Sequence, residues 1–183
     1  MPHIEITHAL PGISGLFAQR PDTAGPLSDL AETLLRSGPS PLSRGERELI
    51  AAYVSNLNCT AFCAGSHSAF AAAQLEGGAE LVASVLDDPD AAAITPLLRS
   101  LLKVAAEVQS KAAPVSDEVI AAARAEGATD THIHDTVLIA AAFAMFNRYV
   151  NGLATDVPSD PAFYDAAAER IVQHGYGAAH RRS

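Results

Sequence analysis

Signals that start and stop helices follow one another along most of this chain. Ser43 and Glu46 have the spacing of a capping box, and Thr95 stands before Pro96, where a cap precedes a proline at the first helical position. Runs of alternating β-branched residues are nearly missing, while alanine dominates and tryptophan is absent. The pattern therefore predicts an all-α fold of roughly seven or eight helices. The predicted helices cover residues 27–37 and 43–56, a cysteine-containing stretch that ends near 75, and then 79–86, 95–111, 116–127, 130–152 and 160–175.

The first 25 residues differ in composition from the rest of the chain. Proline and glycine are frequent there, which predicts an extended N-terminal arm over residues 1–25, with one short helical turn near residues 13–17. Residues 26–183 are predicted to form a single helical domain that is long enough to bury a core. The arm also carries apolar side chains, so we expect it to pack on a helical surface, which a second subunit could supply. The expected assembly is a homo-oligomer.

Charge and apolar patterning argue against several classes of protein. The formal net charge is −9 and the pI is about 5.1, whereas a nucleic-acid binder needs a basic face for the phosphates. The basic cluster at residues 180–182 is expected to be a solvated tail. The longest apolar run, residues 137–146, is about half of a membrane span, and no signal-peptide pattern is visible at the N-terminus. We therefore expect a cytoplasmic protein with neither nucleic acid nor membrane as a partner.

The two cysteines of the chain, Cys59 and Cys63, lie close together, and His67 follows at the same spacing. Residues at i, i+4 and i+8 share one face of a helix, so two thiols and an imidazole would form one stripe. In a reducing compartment, a close cysteine pair is redox-active or metal-binding more often than structural. One metal ion could not bind all three side chains, because they would be spread over roughly 12 Å of helix axis. We expect neither a metal nor another cofactor. The alternative to a reactive thiol is that Cys63 is buried and serves only as a small apolar side chain.

Cys63 has the neighbours that a reactive thiolate requires. His67 lies one helical turn later and can reach the sulfur, and a histidine is a suitable base for a thiol. Glu48, in the preceding helix, could orient the imidazole or relay its proton, as the acid does in other catalytic triads. The three residues together predict a Glu–His–Cys chain.

The start of the cysteine helix decides whether the two thiols can form a disulfide. With Thr60 as the N-cap, Cys63 is the third helical residue, where the helix amides favour ionisation, and Cys59 lies outside the helix and can approach it. With Asn58 as the N-cap, both thiols lie inside the helix with Cβ atoms about 5–6 Å apart, whereas a disulfide requires about 3.5–4.5 Å. Thr60 is the favoured cap.

Several segments of the chain resemble the carboxymuconolactone decarboxylase / AhpD-like superfamily, and most of all its peroxidase-related branch. The segments are residues 10–13, 30–32, 42–50, 55–63 with His67, and 133–148. The signature of that superfamily is a glutamate, then Cys-x-x-Cys, then three residues and a histidine, and Glu48, Cys63 and His67 match it. The resemblance implies an all-α, AhpD-like helical bundle that assembles as dimers, trimers or hexamers. One position departs from the signature: its first cysteine falls on Thr60, and Cys59 is displaced by one residue.

The main functional hypothesis is a thiol-dependent, peroxidase-like oxidoreductase. In it Cys63 is the attacking thiolate, His67 the base, Glu48 the orienting acid and proton relay, and Cys59 a provisional resolving thiol. A hydroperoxide or another small molecule would be the substrate, and an external thiol or dithiol the electron donor. Two alternatives stay open. One is a non-redox lyase or isomerase, similar to the decarboxylases, that uses His67 and Glu48 for acid–base chemistry. The other is a non-catalytic, redox-sensing helical module.

Overall fold

The computed structural model of the protein describes residues 1–7 and 10–179, and the regular secondary structure within them is helical throughout. A π-helical turn, Thr33–Ser37, continues the second helix, and a 3₁₀ turn, Tyr176–Ala179, follows the last one. This confirms the predicted all-α fold. The α-helices of the described residues are α1 (Gly12–Gln19), α2 (Pro21–Glu32), α3 (Arg44–Leu57), α4 (Ala61–Ala72), α5 (Gly78–Asp87), α6 (Pro96–Ser110), α7 (Asp117–Ala125), α8 (Asp130–Gly152) and α9 (Pro161–His174).

The capping signals of the sequence mark the observed helix starts. Ser43 Oγ accepts the backbone N–H of Glu46, whose side chain in turn accepts the N–H of Ser43, so the capping box is complete. Thr95 caps α6 in the same way through the N–H of Leu98, ahead of a proline at the first helical position. These bonds satisfy backbone donors that have no partner inside the helix, which is why the sequence locates them well.

The N-terminal region is more helical than its composition indicates. Helices α1 and α2 cover most of residues 12–32, and the expected boundary between residues 25 and 26 falls inside α2. Pro21 is the first residue of α2, where its missing N–H costs nothing and its fixed φ suits a helix, so this proline starts a helix instead of extending the chain. The non-helical part is anchored on the same chain, since His3 and Gly12 donate backbone hydrogen bonds to the loop that follows α8.

Helix α3 lies at the centre of the core and packs against α4, α5, α6 and α8. Residues 45 and 47–55 of this helix are all buried, as expected for a helix that is enclosed on every side. Leu49, Ile50 and Val54 are completely inaccessible, and burial of each such side chain stabilises the fold by about 1.5–3 kcal/mol. Glu48 and Ser55 are buried on the same helix, so their polar groups must find partners inside the protein.

None of the helices in the described part of the chain combines the length and apolar character that crossing a bilayer requires. The predicted basic tail at residues 180–182 lies outside the described residues.

Candidate active site

The predicted acid and base meet inside the core, because α3 and α4 pack side by side. Glu48 on α3 is fully buried, and its Oε2 lies 2.6 Å from Nδ1 of His67 on α4. The imidazole ring is enclosed by aromatic rings, with the centroid of Phe143 at 4.5 Å and that of Phe70 at 5.2 Å, both edge-on. A carboxyl group in such apolar surroundings is costly unless it is hydrogen-bonded, so the contact with His67 is strongly favoured.

A third residue of this cluster, Tyr176, has no clear signal in the sequence. Its hydroxyl donates a hydrogen bond of 2.6 Å to Oε1 of Glu48 and lies 3.5 Å from Nδ1 of His67. Burial, followed by the negative charge of Glu48, raises the pKa of Tyr176 well above its usual range, so the phenol stays protonated and acts as a donor. Tyr176 lies 128 positions from Glu48, and only the tertiary fold brings them together.

Cys63 is the third residue of α4, as the Thr60 cap predicts, but the thiol is not exposed there. Its side chain is 4% accessible and packs with Phe62 and Val150. Burial raises the pKa of Cys63 to about 11, and a hydrogen bond with Asn147 only partly offsets this. Burial therefore opposes the ionisation that a position at the helix start was expected to favour.

Asn147 on α8 connects the thiol to the turn that precedes α4. Its Nδ2 donates to Ser55 Oγ at 3.0 Å, and its Oδ1 accepts from Asn58 Nδ2 at 2.9 Å. The Oδ1 of Asn58 in turn accepts from Gln109 Nε2 at 2.9 Å. This network fixes the turn from the inside. Asn147 falls in the stretch of resemblance to the superfamily, but its role is visible only in the structure.

Thr60 is the N-cap of α4, as predicted, although not through its hydroxyl. The side chain makes no capping bond to α4, and its Oγ1 instead accepts from Nδ2 of Asn151 at 2.9 Å. Cys59 precedes it with φ of 52°, a left-handed conformation that is uncommon for a residue other than glycine. Cys59 is exposed, and both thiols are free. Because Cys59 lies outside α4, the fixed spacing within a helix does not hold it away from Cys63.

The arrangement can accept and pass a proton next to a buried thiol. Among the described residues, no group of three or more His, Cys, Asp or Glu side chains is placed to hold a metal ion. His67 lies one turn after Cys63 on the same helix, Glu48 orients the imidazole, and Tyr176 donates to Glu48. These groups suit general acid–base chemistry with or without the thiol.

Glu48, Cys63 and His67 lie within a segment that is similar to a known protein family, whereas Asn147 and Tyr176 lie outside it. Residues 21–107 match the model of the Carboxymuconolactone decarboxylase family. Among solved structures, the chain is similar to a peroxidase-related protein from Ralstonia eutropha JMP134, described as having an alkylhydroperoxidase AhpD core. That pair shares 24% sequence identity with a TM-score of 0.75, over 87% of this chain and 81% of the other. A peroxidase-related protein from Silicibacter sp. TM1040 is 24% identical with a TM-score of 0.74, over 85% of this chain and 78% of the other. No curated protein matches the sequence significantly.

Proposed function

We propose that the chain is a thiol-dependent, peroxidase-like oxidoreductase, because residues 21–107 match the Carboxymuconolactone decarboxylase family and the fold is similar to that of two peroxidase-related proteins. Cys63 is the redox thiol, and the Glu48–His67 pair is its proton acceptor. The observation that carries the proposal is the 2.6 Å contact between Glu48 Oε2 and His67 Nδ1, buried among aromatic rings one helical turn from Cys63.

The raised pKa of Cys63 makes this base necessary. A thiol with a pKa of about 11 is ionised in only about one molecule in ten thousand at pH 7, so its proton must leave during the reaction. A base placed to accept that proton typically accelerates such a step by about 10²–10⁴-fold. Burial also has a benefit, since a thiolate formed in an apolar site is poorly solvated and therefore strongly nucleophilic.

In the proposed cycle, His67 takes the thiol proton while the sulfur of Cys63 attacks one oxygen of a hydroperoxide. The O–O bond breaks, Cys63 becomes a sulfenic acid, and the alcohol or water leaves with the proton from His67. The thiol of Cys59 then attacks the sulfur of Cys63, which forms a disulfide and releases water. An external dithiol, or two thiols, reduces this disulfide to the two cysteines and is itself oxidised to a disulfide.

The different exposure of the two cysteines supports their different roles, with Cys63 attacking the substrate and Cys59 reacting with the thiol donor. Cys63 is almost inaccessible, so only a small substrate could reach it, whereas Cys59 is exposed to a larger thiol donor. The strained φ of Cys59 also favours a change of conformation, because a new backbone geometry at this position relieves strain.

The experiment is peroxide consumption in the presence of a dithiol, with mass analysis of the 59–63 segment. Cys63→Ser should abolish turnover, because a hydroxyl does not supply a thiolate near neutral pH. Cys59→Ser is the matched control: it should consume about one equivalent of peroxide and then add oxygen to Cys63. Oxidised wild-type protein should have lost two hydrogens from the segment.

Other outcomes would contradict parts of this scheme. Near-wild-type turnover by Cys63→Ser would exclude the thiol mechanism. Oxygen added to Cys63 of the wild-type protein, with Cys59 unchanged, would show that Cys59 is not the resolving thiol. A single oxidation that a dithiol reverses, without turnover, would instead indicate a redox-sensing module.

A non-redox lyase or isomerase is the second candidate, and the burial of Cys63 favours it. With a raised pKa and almost no accessibility, Cys63 also fits a small side chain of the core, while Glu48 and His67 alone would perform acid–base chemistry. The same variant separates the two: a lyase activity would survive Cys63→Ser, whereas peroxide reduction would not.

A further inference from the structure

We propose that Tyr176 is a positioning residue of this site, whose hydroxyl holds Glu48 as the acceptor of the Nδ1–H of His67. The consequence is that the proton of a neutral imidazole lies on Nδ1, which leaves Nε2 free to take a proton. The inference rests on the proposed function only in treating His67 as the proton acceptor of the reaction.

The end of the described chain brings Tyr176 to Glu48 through several specific contacts. Gly175 follows α9 with φ of 78°, and a Cβ at this position would collide with the side chain of Glu32. Glu32 Oε2 accepts the backbone N–H of Tyr176 at 2.9 Å. Arg36 Nη1 donates to two carbonyl oxygens in the last turn of α9, one of them at 3.0 Å, which fixes the end of that helix. The C-terminal 3₁₀ turn is therefore held against α2 and its π-helical extension.

The two oxygens of Glu48 have different partners. Oε1 accepts from Tyr176 Oη and Oε2 contacts His67 Nδ1, each at 2.6 Å. A phenol with a raised pKa is a donor, so Glu48 accepts at Oε1, and an ionised Glu48 also accepts at Oε2. His67 must then carry its proton on Nδ1. The tyrosine ring is nearly parallel to the imidazole, with 18° between the ring planes and 6.2 Å between the centroids.

Without the hydroxyl, Glu48 would be a fully buried carboxylate with one partner. Loss of that bond removes one of the two hydrogen bonds that stabilise the carboxylate in the core. A protonated Glu48 would donate to Nδ1 of His67, and the imidazole proton would then lie on Nε2, where it blocks the base. Tyr176 therefore selects the tautomer that the proposed chemistry needs.

Other charged and titratable groups also surround this cluster. Glu32 and Arg36 act on Tyr176 from α2 and the π-helical turn, with opposite effects on its pKa. Arg47 is adjacent to Glu48 on α3 and is influenced by Asp135 of α8. Helix α4 carries one titratable side chain besides His67, the thiol of Cys63. The hydroxyl of Tyr176 remains the donor that contacts Glu48 Oε1 directly.

The test is Tyr176→Phe, which keeps the ring and removes only the hydroxyl. The tautomer of His67 is measured by nitrogen-15 NMR as a function of pH, together with the pH profile of the Cys63 reaction. Wild-type protein should show the Nδ1–H tautomer at neutral pH. In Tyr176→Phe the population should move towards Nε2–H, and the rise of the profile should shift to higher pH by about one to two units, the usual effect of a hydrogen bond to a charged group. Tyr149→Phe is the control, because Tyr149 interacts with Arg20 instead, and it should behave as wild type.

If His67 keeps the Nδ1–H tautomer in Tyr176→Phe and the pH profile of the Cys63 reaction is unchanged, the proposal is overturned, whatever the effect of the substitution on the stability of the fold. If Tyr176→Phe does not fold, the test is the nitrogen-15 spectrum of His67 in the wild-type protein. An Nε2–H tautomer there contradicts the proposed hydrogen bonding, and an Nδ1–H tautomer supports it. If Tyr176→Phe changes the tautomer of His67 as expected but the wild-type protein reduces no peroxide, the role of Tyr176 is supported and the proposed function is refuted.

Discussion

At the scale of single residues, burial has opposite outcomes for the two central groups of the site. Glu48 is completely buried but has hydrogen-bond partners at both oxygens, which makes a carboxylate tolerable in the core. Cys63 is buried with only a weak polar partner, Asn147, so its neutral form is favoured. The number of donors that reach a buried acid, more than the burial itself, decides which form is stable.

Alkylation of the two cysteines should therefore differ in rate and in pH dependence. At neutral pH, iodoacetamide should modify the exposed Cys59 well before Cys63. Burial raises the pKa of Cys63 to about 11, so the neutral thiol persists at lower pH. The rate at which Cys63 is alkylated should therefore rise about tenfold per pH unit up to about pH 11. Peptide mass analysis of each cysteine over time is the measurement. Equal modification of both at pH 7 would contradict the buried, neutral state of Cys63.

At the scale of elements, two short turns place the functional groups. The turn between α3 and α4 is held by Asn58 and Asn147, and it leaves Cys59 outside α4 while Cys63 lies inside. The turn after α9 is held by Glu32, and it brings Tyr176 to the acid. The helices supply a rigid frame, and each turn determines which side chain reaches the site.

Gly175→Ala should disturb the second turn. Alanine at φ of 78° and ψ of −178°, a region that glycine almost alone adopts, is strained by about 1–3 kcal/mol, and its Cβ would displace Glu32, so the melting temperature should fall by several degrees. Gly25→Ala is the matched control, because Gly25 lies inside α2 with open space around it, and it should be neutral or stabilising by about 0.5–1 kcal/mol. Calorimetry of both variants checks this. Equal melting temperatures of the wild-type protein and Gly175→Ala would show that the turn after α9 is not constrained as described.

At the scale of the whole molecule, the site exists because three distant parts of the chain meet around α3. Glu48 is contributed by the central helix, His67 by α4, and Tyr176 by the end of the described chain. The aromatic cover comes from α4 and α8. Such a site needs the complete bundle, so its chemistry should be lost together with the cooperative fold.

The protein should assemble as a homo-oligomer, as its superfamily resemblance implies. Apolar residues near the N-terminus remain accessible in the single chain, with Ile4 42% and Leu10 49% exposed. Burial of such side chains against a second subunit would be favourable, by about 25 cal/mol for each Å² of apolar surface. Light scattering at micromolar concentration is the measurement. A mass of about 19 kDa, that of one chain, would refute the assembly.

Local signals were sufficient for the helices from residue 43 onwards and for the start of α4. The capping box at Ser43, the cap at Thr95 and the N-cap position of Thr60 were predicted because a cap acts on the residues that follow it directly. The pairing of Glu48 with His67 was predicted from an acid in the helix that precedes the histidine, and the resemblance to the superfamily implies the same pair. The N-terminal helices were missed, because a proline at the first position of a helix has the same composition signal as one in an extended arm.

Local patterns along the chain were enough to predict the class of fold, the helices from residue 43 onwards, and an acid, a histidine and two cysteines at helical spacing. How those groups behave depends on the packing of the helices. Tyr176 became part of the site through packing over 128 positions of chain, which no local pattern encodes. Cys63 stays protonated because neighbouring helices exclude water from the start of α4, and desolvation depends on the whole assembly of side chains around a group rather than on its own neighbours in sequence.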